Sequence, residues 1–254
     1  LSKPSDELLE SIKNGPVAME VEQMWKLLGF NGPAVQVQDA EGRPIAIGLE
    51  DLLSGLEKHW SENKDDLNRG RLFAQELMKY DRFERAEKVL AKVVASGGTG
   101  EDWLGLGIAQ MQQEKWDKAE ATLKGALNLM ADNPYPALHL AKVSKGKADK
   151  AAEREWIQRA INTDTGCVDA WAYLYAHVRE NENEEAALKA VADLADAETH
   201  KRSSAPYVAL QGFYSGEEST RDKAIELAKK AVARNEKDTL ALISLSALYG
   251  QSGD

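Results

Sequence analysis

Cysteine is nearly absent: Cys167 stands alone among 254 residues. That excludes an internal disulfide and any multi-cysteine metal site. A chain without disulfides is expected in the cytoplasm, with a bacterial periplasm as the alternative if a leader has been removed. Long apolar runs are missing too. No segment approaches the roughly 20 residues that cross a bilayer as a helix, so no membrane insertion is expected. The opening LSKPSDELLESIKNG is polar, holds no signal-peptide core, and begins at Leu1 instead of Met, which leaves open a leader or upstream domain removed before numbering begins. Basic charge is in deficit, with 32 Lys and Arg against 42 Asp and Glu, a net charge of −10. Phosphate backbones need a basic face, so no nucleic-acid partner is expected.

The usual marks of chemistry are lacking as well. His59, His139, His177 and His200 include no pair spaced three or four apart, so they read as surface or packing residues and no metal is expected. Gly97–Gly107 is glycine-rich but has neither a preceding strand nor the Gly-Lys-Ser/Thr ending of a phosphate loop. Cys167 has no evident activating base, and no serine sits in a nucleophile elbow. Catalytic residues and cofactors are therefore expected to be none, and the chain reads as non-enzymatic.

What is present is a pattern that repeats. Trp103–Ala126, WLGLGIAQMQQEKWDKAEATLKGA, carries Trp103, Leu106, Gly107 and Ile108 at helical spacing, then a polar turn, then Trp116, Ala119, Leu123 and Ala126 at spacings of three and four. This predicts two antiparallel helices locked by small residues. The Leu106 position recurs as Phe73, Leu106, Leu140, Leu174, Leu210 and Leu245, in steps of 33, 34, 34, 36 and 35. The Ala119 position recurs as Ala86, Ala119, Glu153, Ala187 and Ala224, in steps of 33, 34, 34 and 37. A third position runs Val93, Ala126, Ala160, Leu194, Ala231. One hairpin cannot bury its own apolar stripe, and a stack of them can.

With its Trp, two residues, Leu-Gly, and the later Ala positions, the unit resembles a tetratricopeptide repeat. The resemblance implies an all-α fold, a right-handed superhelix of about five and a half helix–turn–helix repeats over residues 66–254. First helices are expected near 66–79, 101–113, 134–146, 168–181 and 205–214, and second helices near 82–95, 116–129, 149–162, 184–197 and 220–234. Departures are visible. Glu153 stands at a small-residue position and Tyr175 at that of Gly107, so the third and fourth repeats should pack less closely. The family's closing proline is missing from all five. FYSGEESTRD adds a residue to the fifth turn, which should be irregular, and Ser96–Gly100 reads as a loose joint. Leu240–Tyr249 starts another first helix, with Leu242, Leu245, Leu248 and Tyr249 as its apolar face; this open end is a candidate for homo-oligomer contact. Trp103, Trp116 and Trp171 read as core.

Residues 1–62 fall outside the repeat and form a small α/β cap. Helices are expected over Ser5–Lys13 and Ala18–Leu28, then a β-hairpin over 34–47 in which Val35 and Val37 share one face and Ile45 and Ile47 another. Trp25, Leu28, Leu52, Leu53 and Trp60 are the candidates to cover it. The order of elements over 18–60 resembles the C-terminal half of a thioredoxin fold, which would put Pro33 in the cis-proline role; an unrelated cap is the alternative. No Cys-x-x-Cys is present, which excludes redox chemistry of that kind.

In proteins that this chain resembles, first helices line a concave surface. The matching offsets are Asn68, Arg71 and Gln75, then Leu104, Ile108 and Met111, then Tyr135, Leu138 and Lys142, then Ala172, Tyr173 and Ala176, and Val208. Some family members clamp a peptide's terminal carboxylate there with Lys, Asn and Arg. Only Arg71 and Lys142 match that arrangement, and Leu104 and Ile108 stand where clamp residues are needed. The resemblance implies a protein-interaction scaffold that holds a helical or extended segment of a partner in an apolar, aromatic-edged groove. Two alternatives stay open: these residues only support packing, or the chain is a self-assembly module. Two charged runs, Lys142 to Lys150 and Glu180 to Glu185, read as solvated turns, the basic one alternatively as a contact for an acidic partner.

Overall fold

A computed structural model describes residues 29–252 apart from 31 and 39–41. The helices expected over Ser5–Lys13 and Ala18–Leu28, with Trp25 and Leu28, lie outside the described residues. The chain divides into two compact units, one ending at Gly98 and one starting at Thr99, so the break falls inside the Ser96–Gly100 link.

In the first unit, strands β1 (Ala34–Gln38) and β2 (Pro44–Gly48) form the expected antiparallel hairpin. Val35 lies opposite Ile47 and Val37 opposite Ile45. Directly opposed residues of an antiparallel pair point the same way. The expectation of two separate faces is thus corrected: all four apolar side chains share one. No cis peptide bond occurs among the described residues, so Pro33 is trans and does not take the cis-proline role. Its carbonyl instead accepts the Leu49 amide at 2.8 Å, tying the hairpin to helix α1 (Leu49–Ser61).

Helices α2 (Leu67–Lys79) and α3 (Phe83–Ala95) make the first repeat hairpin. Asp66 caps α2 by accepting the Asn68 amide at 3.1 Å. Trp60 was expected to cover the β-hairpin. It packs instead on α2, its ring 6.2 Å from that of Phe73 and against Gly70, because a glycine there leaves room for an indole. Glu50 of α1 meets Arg82 at 3.3 Å and Arg85 at 3.2 Å.

The second unit stacks four more hairpins: α4 (Gly100–Met111) with α5 (Trp116–Leu129), α6 (Tyr135–Gly146) with α7 (Lys150–Thr163), α8 (Val168–Asn181) with α9 (Glu184–Ala195), and α10 (Ala205–Tyr214) with α11 (Arg221–Arg234). Helix α12 (Thr239–Ser252) follows. Across both units the repeat-helix boundaries lie within two residues of those expected from the period. Leu106, Leu140, Leu174 and Leu210 are all buried, as are Ala119, Ala187 and Ala224. One continuous apolar core runs from Leu104 to Leu248, with Trp171 inside it and Trp103 and Trp116 packed on its edge. Helices approach closely where a side chain is missing. A Cβ on Gly107 would sit 2.6 Å from Leu123, and one on Gly146 would sit 2.6 Å from Trp116.

Turn chemistry adds a periodicity that apolar patterning did not reveal. Asp81, Glu114 and Ala148 each close a first helix in the left-handed conformation, with φ of 58°, 57° and 58°. The next amide bonds back over five residues every time: Arg82 to Leu77 at 2.8 Å, Lys115 to Gln110 at 3.0 Å, Asp149 to Ser144 at 2.9 Å. Beyond the third hairpin this closure stops. The fifth turn holds the expected irregularity, a 3-10 turn over Glu218–Thr220.

Helix α12 seats Ala241 against Val208 and Ala231. That close seat turns Leu242 outward, so its expected place on the packed face is corrected. Leu240, Leu242 and Ile243 are 50%, 43% and 60% exposed.

Candidate functional site

The thirteen residues read as groove-lining divide by burial. Asn68 and Gln75 are exposed on α2 and Arg71 is half-buried, its guanidinium donating to Asn68 Oδ1 at 2.9 Å. In the second unit Ile108, Ala172, Tyr173 and Ala176 are half-buried, and Tyr135 and Lys142 are exposed. Leu104, Met111, Leu138 and Val208 are buried, the first three in the continuous core and Val208 against Ala231 and Ala241. These four are corrected from groove lining to packing. Helical offsets place them toward the groove, but in each case neighbouring helices pack over the side chain.

What remains on the first-helix face is small and mixed. Ile108, Lys142 and Ala176 hold equivalent positions on α4, α6 and α8. Lys142 has no carboxylate within 4 Å among the described residues. Tyr135 donates its hydroxyl to Asp169 Oδ2 at 3.2 Å, and that carboxylate, with burial, pushes the phenol up. A hollow of about 420 Å³ lies beside this pair, between the loops that enter α6 and α8, with Asp132, Asp164 and Cys167 on its wall. Burial pushes the Cys167 thiol up, so it is a packing thiol and not an activated one.

The two charged runs meet each other. Lys145 of the basic run pairs with Glu180 of the acidic run, and this bond holds the Glu180 carboxyl below its ordinary range. Lys147 reaches Asp117 at 2.8 Å and Glu120 at 2.9 Å. Both turns are exposed, as expected, and within them Lys145 and Lys147 find carboxylates of this chain while Lys142 does not.

A buried polar cluster lies behind the face. Glu153 of α7 is only 3% exposed and its Oε2 is 3.1 Å from His177 Nδ1 on α8. Asn181, one turn on, donates to the His177 carbonyl at 2.8 Å. Tyr173, one turn back, keeps its hydroxyl sealed from solvent without a hydrogen-bond partner, as is Glu153 Oε1. Burial first, then the Glu153 carboxylate, push that phenol up. On α6, His139 Nδ1 is likewise sealed and unpartnered; burial, then nearby Lys142, depress the ring to about 4. Periodicity flagged Glu153 as a departure but left His177 a packing residue. The signal was available: His177 holds the position of Ala109 and Val143, so two apolar registers turn polar where they touch. Among the described residues no group of three or more His, Cys, Asp or Glu is arranged to hold a metal, and no helix is long and apolar enough to cross a membrane.

No protein-family model and no curated protein matches the sequence. Solved structures do match the fold. MamA from Desulfovibrio magneticus RS-1, residue 41 to its end, superposes with a TM-score of 0.50 at 15% identity, over 59% of this chain and 85% of its own. A tetratricopeptide repeat protein from Parabacteroides merdae ATCC 43184 superposes at 0.49 with 14% identity, over 79% of this chain and 77% of its own. YrrB, described as a tetratricopeptide protein with an unusual peptide-binding site, superposes at 0.44 with 20% identity, over 74% and 96%. Sequence period, helix order and the MamA superposition agree: this chain has the tetratricopeptide-repeat fold.

Proposed function

We propose that the chain is a non-enzymatic interaction scaffold whose second unit holds a segment of a partner protein on its first-helix face. The supporting observation is the run Ile108, Lys142, Ala176 on successive first helices, flanked by Tyr135 and Tyr173: an apolar shelf around a cation that has no carboxylate within 4 Å among the described residues. A helical or extended segment bearing an apolar anchor and a carboxylate suits that chemistry. Fold alone does not specify the partner, because unrelated functions use one shape.

The test uses the half-buried and exposed positions. A partner is captured from the native cell, and its affinity is measured for the parent chain and for Ile108→Glu and Lys142→Glu. Loss of about tenfold or more in either supports the site. Unchanged affinity in both removes it.

A second reading rests on the exposed Leu240, Leu242 and Ile243 of α12: self-association through that helix. Mass in solution decides it, since a chain that stays monomeric at high concentration has no such contact.

A further inference from the structure

The strip of first-helix face between α6 and α8 changes sign along its length. Two bonds cross it: Tyr135 to Asp169 where the helices start, and Lys145 to Glu180 where they end. Between those crossings α6 and α8 hold together mainly through α7, which packs on both. Tyr173 and Ala176, half-buried, and Lys142, exposed, occupy that stretch.

At the start of the strip lies the hollow of about 420 Å³. Asp132, Asp164 and Asp169 line it and are exposed, and none has a Lys or Arg nitrogen within 4 Å among the described residues. Asp164 and Asp169 both act on the Tyr135 hydroxyl, so their charges converge on that side. Tyr135 itself is 43% exposed, and Pro134 and Val168 add apolar wall. A recess with carboxylates, an aromatic ring and apolar wall suits a cation carried on a long apolar stem.

Lys142 stands seven residues after Tyr135, two turns on and about 10 Å further along the same face of α6. It has no carboxylate within 4 Å among the described residues, whereas Lys145 and Lys147 do. The two ends of the strip therefore carry opposite charge that this chain leaves unpaired, at a fixed separation. An occupant of one sign would be attracted at one end and repelled at the other. Single side-chain pairs bridge the strip, so it is narrow beside a helix about 10 Å across.

We propose that the strip receives an extended, dipolar segment of a partner protein: a Lys or Arg in the hollow against Tyr135, a carboxylate on Lys142, and an apolar residue between them over Tyr173 and Ala176. An extended chain advances about 3.3 Å per residue, so the two charged residues stand about three apart. The inference rests on the first-helix reading above, to which it adds the cationic anchor and the spacing.

Selection from random peptides of about ten residues, long enough to cover the strip, tests it. The baits are the full chain, its Lys142→Glu variant and its Asp132→Lys/Asp164→Asn variant; Asn at 164 keeps an acceptor for the Gly166 amide that Asp164 now holds at 2.8 Å. The parent should enrich peptides that pair a basic with an acidic residue about three apart. Lys142→Glu should lose the preference for the acidic residue and keep that for the basic one, and the aspartate variant should do the reverse. A peptide selected on the parent should weaken about fivefold on either variant. Peptides chosen for an acidic residue alone, and indifferent to the aspartate changes, overturn the dipolar occupant and leave the first-helix reading standing. A parent that enriches nothing, or peptides that bind all three chains alike, remove both.

Discussion

The hydroxyls of Tyr175 and Tyr214 lie 2.8 Å apart in the interior, and Tyr214 donates a hydrogen bond to Glu184 Oε1 at 2.6 Å. Tyr175 holds the register position that Gly107 holds two repeats earlier. Where the glycine lets two helices of one hairpin touch, the tyrosine reaches across to the next hairpin: of the two helices of the preceding hairpin, α10 rests on α8 and hardly on α9, and Phe213 lies 4.6 Å from the Tyr175 ring. Lys223 closes the chain by meeting Glu184 at 2.8 Å.

That relationship predicts a small cost for Tyr175→Phe. The ring still packs and Tyr214 keeps Glu184, so only one buried hydrogen bond is lost, about 1 kcal/mol. Urea unfolding should show a lower midpoint at an unchanged slope. An unchanged midpoint would mean that the hydroxyl pair contributes nothing.

Gly107→Ala should cost more than a helix-propensity scale suggests. Alanine is the better helix former, yet its Cβ would lie 2.6 Å from Leu123, in a closed core. Overpacking of this kind destabilises by about 1–3 kcal/mol. A stabilised variant would refute the close approach of α4 and α5.

Ala148→Gly should act in the opposite direction. Ala148 closes α6 at φ 58°, a conformation that strains a Cβ and suits glycine. Relief is worth about 1 kcal/mol, readable as a raised midpoint in the same unfolding experiment.

Acid should weaken the fold through His139. Unfolded, this histidine takes its proton below about 6.5; folded, only below about 4. Between those values the unfolded chain binds more protons. Stability is therefore complete above 6.5, falls as pH drops toward about 4, and levels off below it, by up to about 3 kcal/mol from this one group. His139→Phe keeps the ring and removes the titration. The difference between parent and variant should shift in the variant's favour as pH falls from 7 to 5; a difference that does not change with pH would rule His139 out as the source.

Leu104→Glu and Ile108→Glu separate packing from binding. Leu104 is buried in the continuous core, so a carboxylate there should lower stability by roughly 3 kcal/mol or more. Ile108 is half-buried and should lose far less. Comparable losses, measured by thermal unfolding, would place both residues in the core and leave the first-helix face without its apolar anchor.

The sequence by itself determined the helices, their order and their period, because each repeat buries its apolar residues against neighbours about 34 positions away and the same few contacts must recur. Leu106, Leu140 and Leu174, like Ala119 and Ala187, were legible for that reason. The β-hairpin was legible from its alternation, but its common face was not, since register depends on which residues pair. Tertiary structure alone decided that Trp60 serves α2, that Leu104 and Leu138 are covered while Ile108 and Lys142 are not, that Leu242 turns outward, and that Lys145 finds Glu180. Each of those outcomes depends on how closely a neighbouring helix seats and on which way a side chain leaves its helix. A period records positions along the chain and carries neither quantity. The contact of Glu153 with His177 lies between the two cases: both departures are written in the sequence, and only the packing of α7 on α8 brings them together.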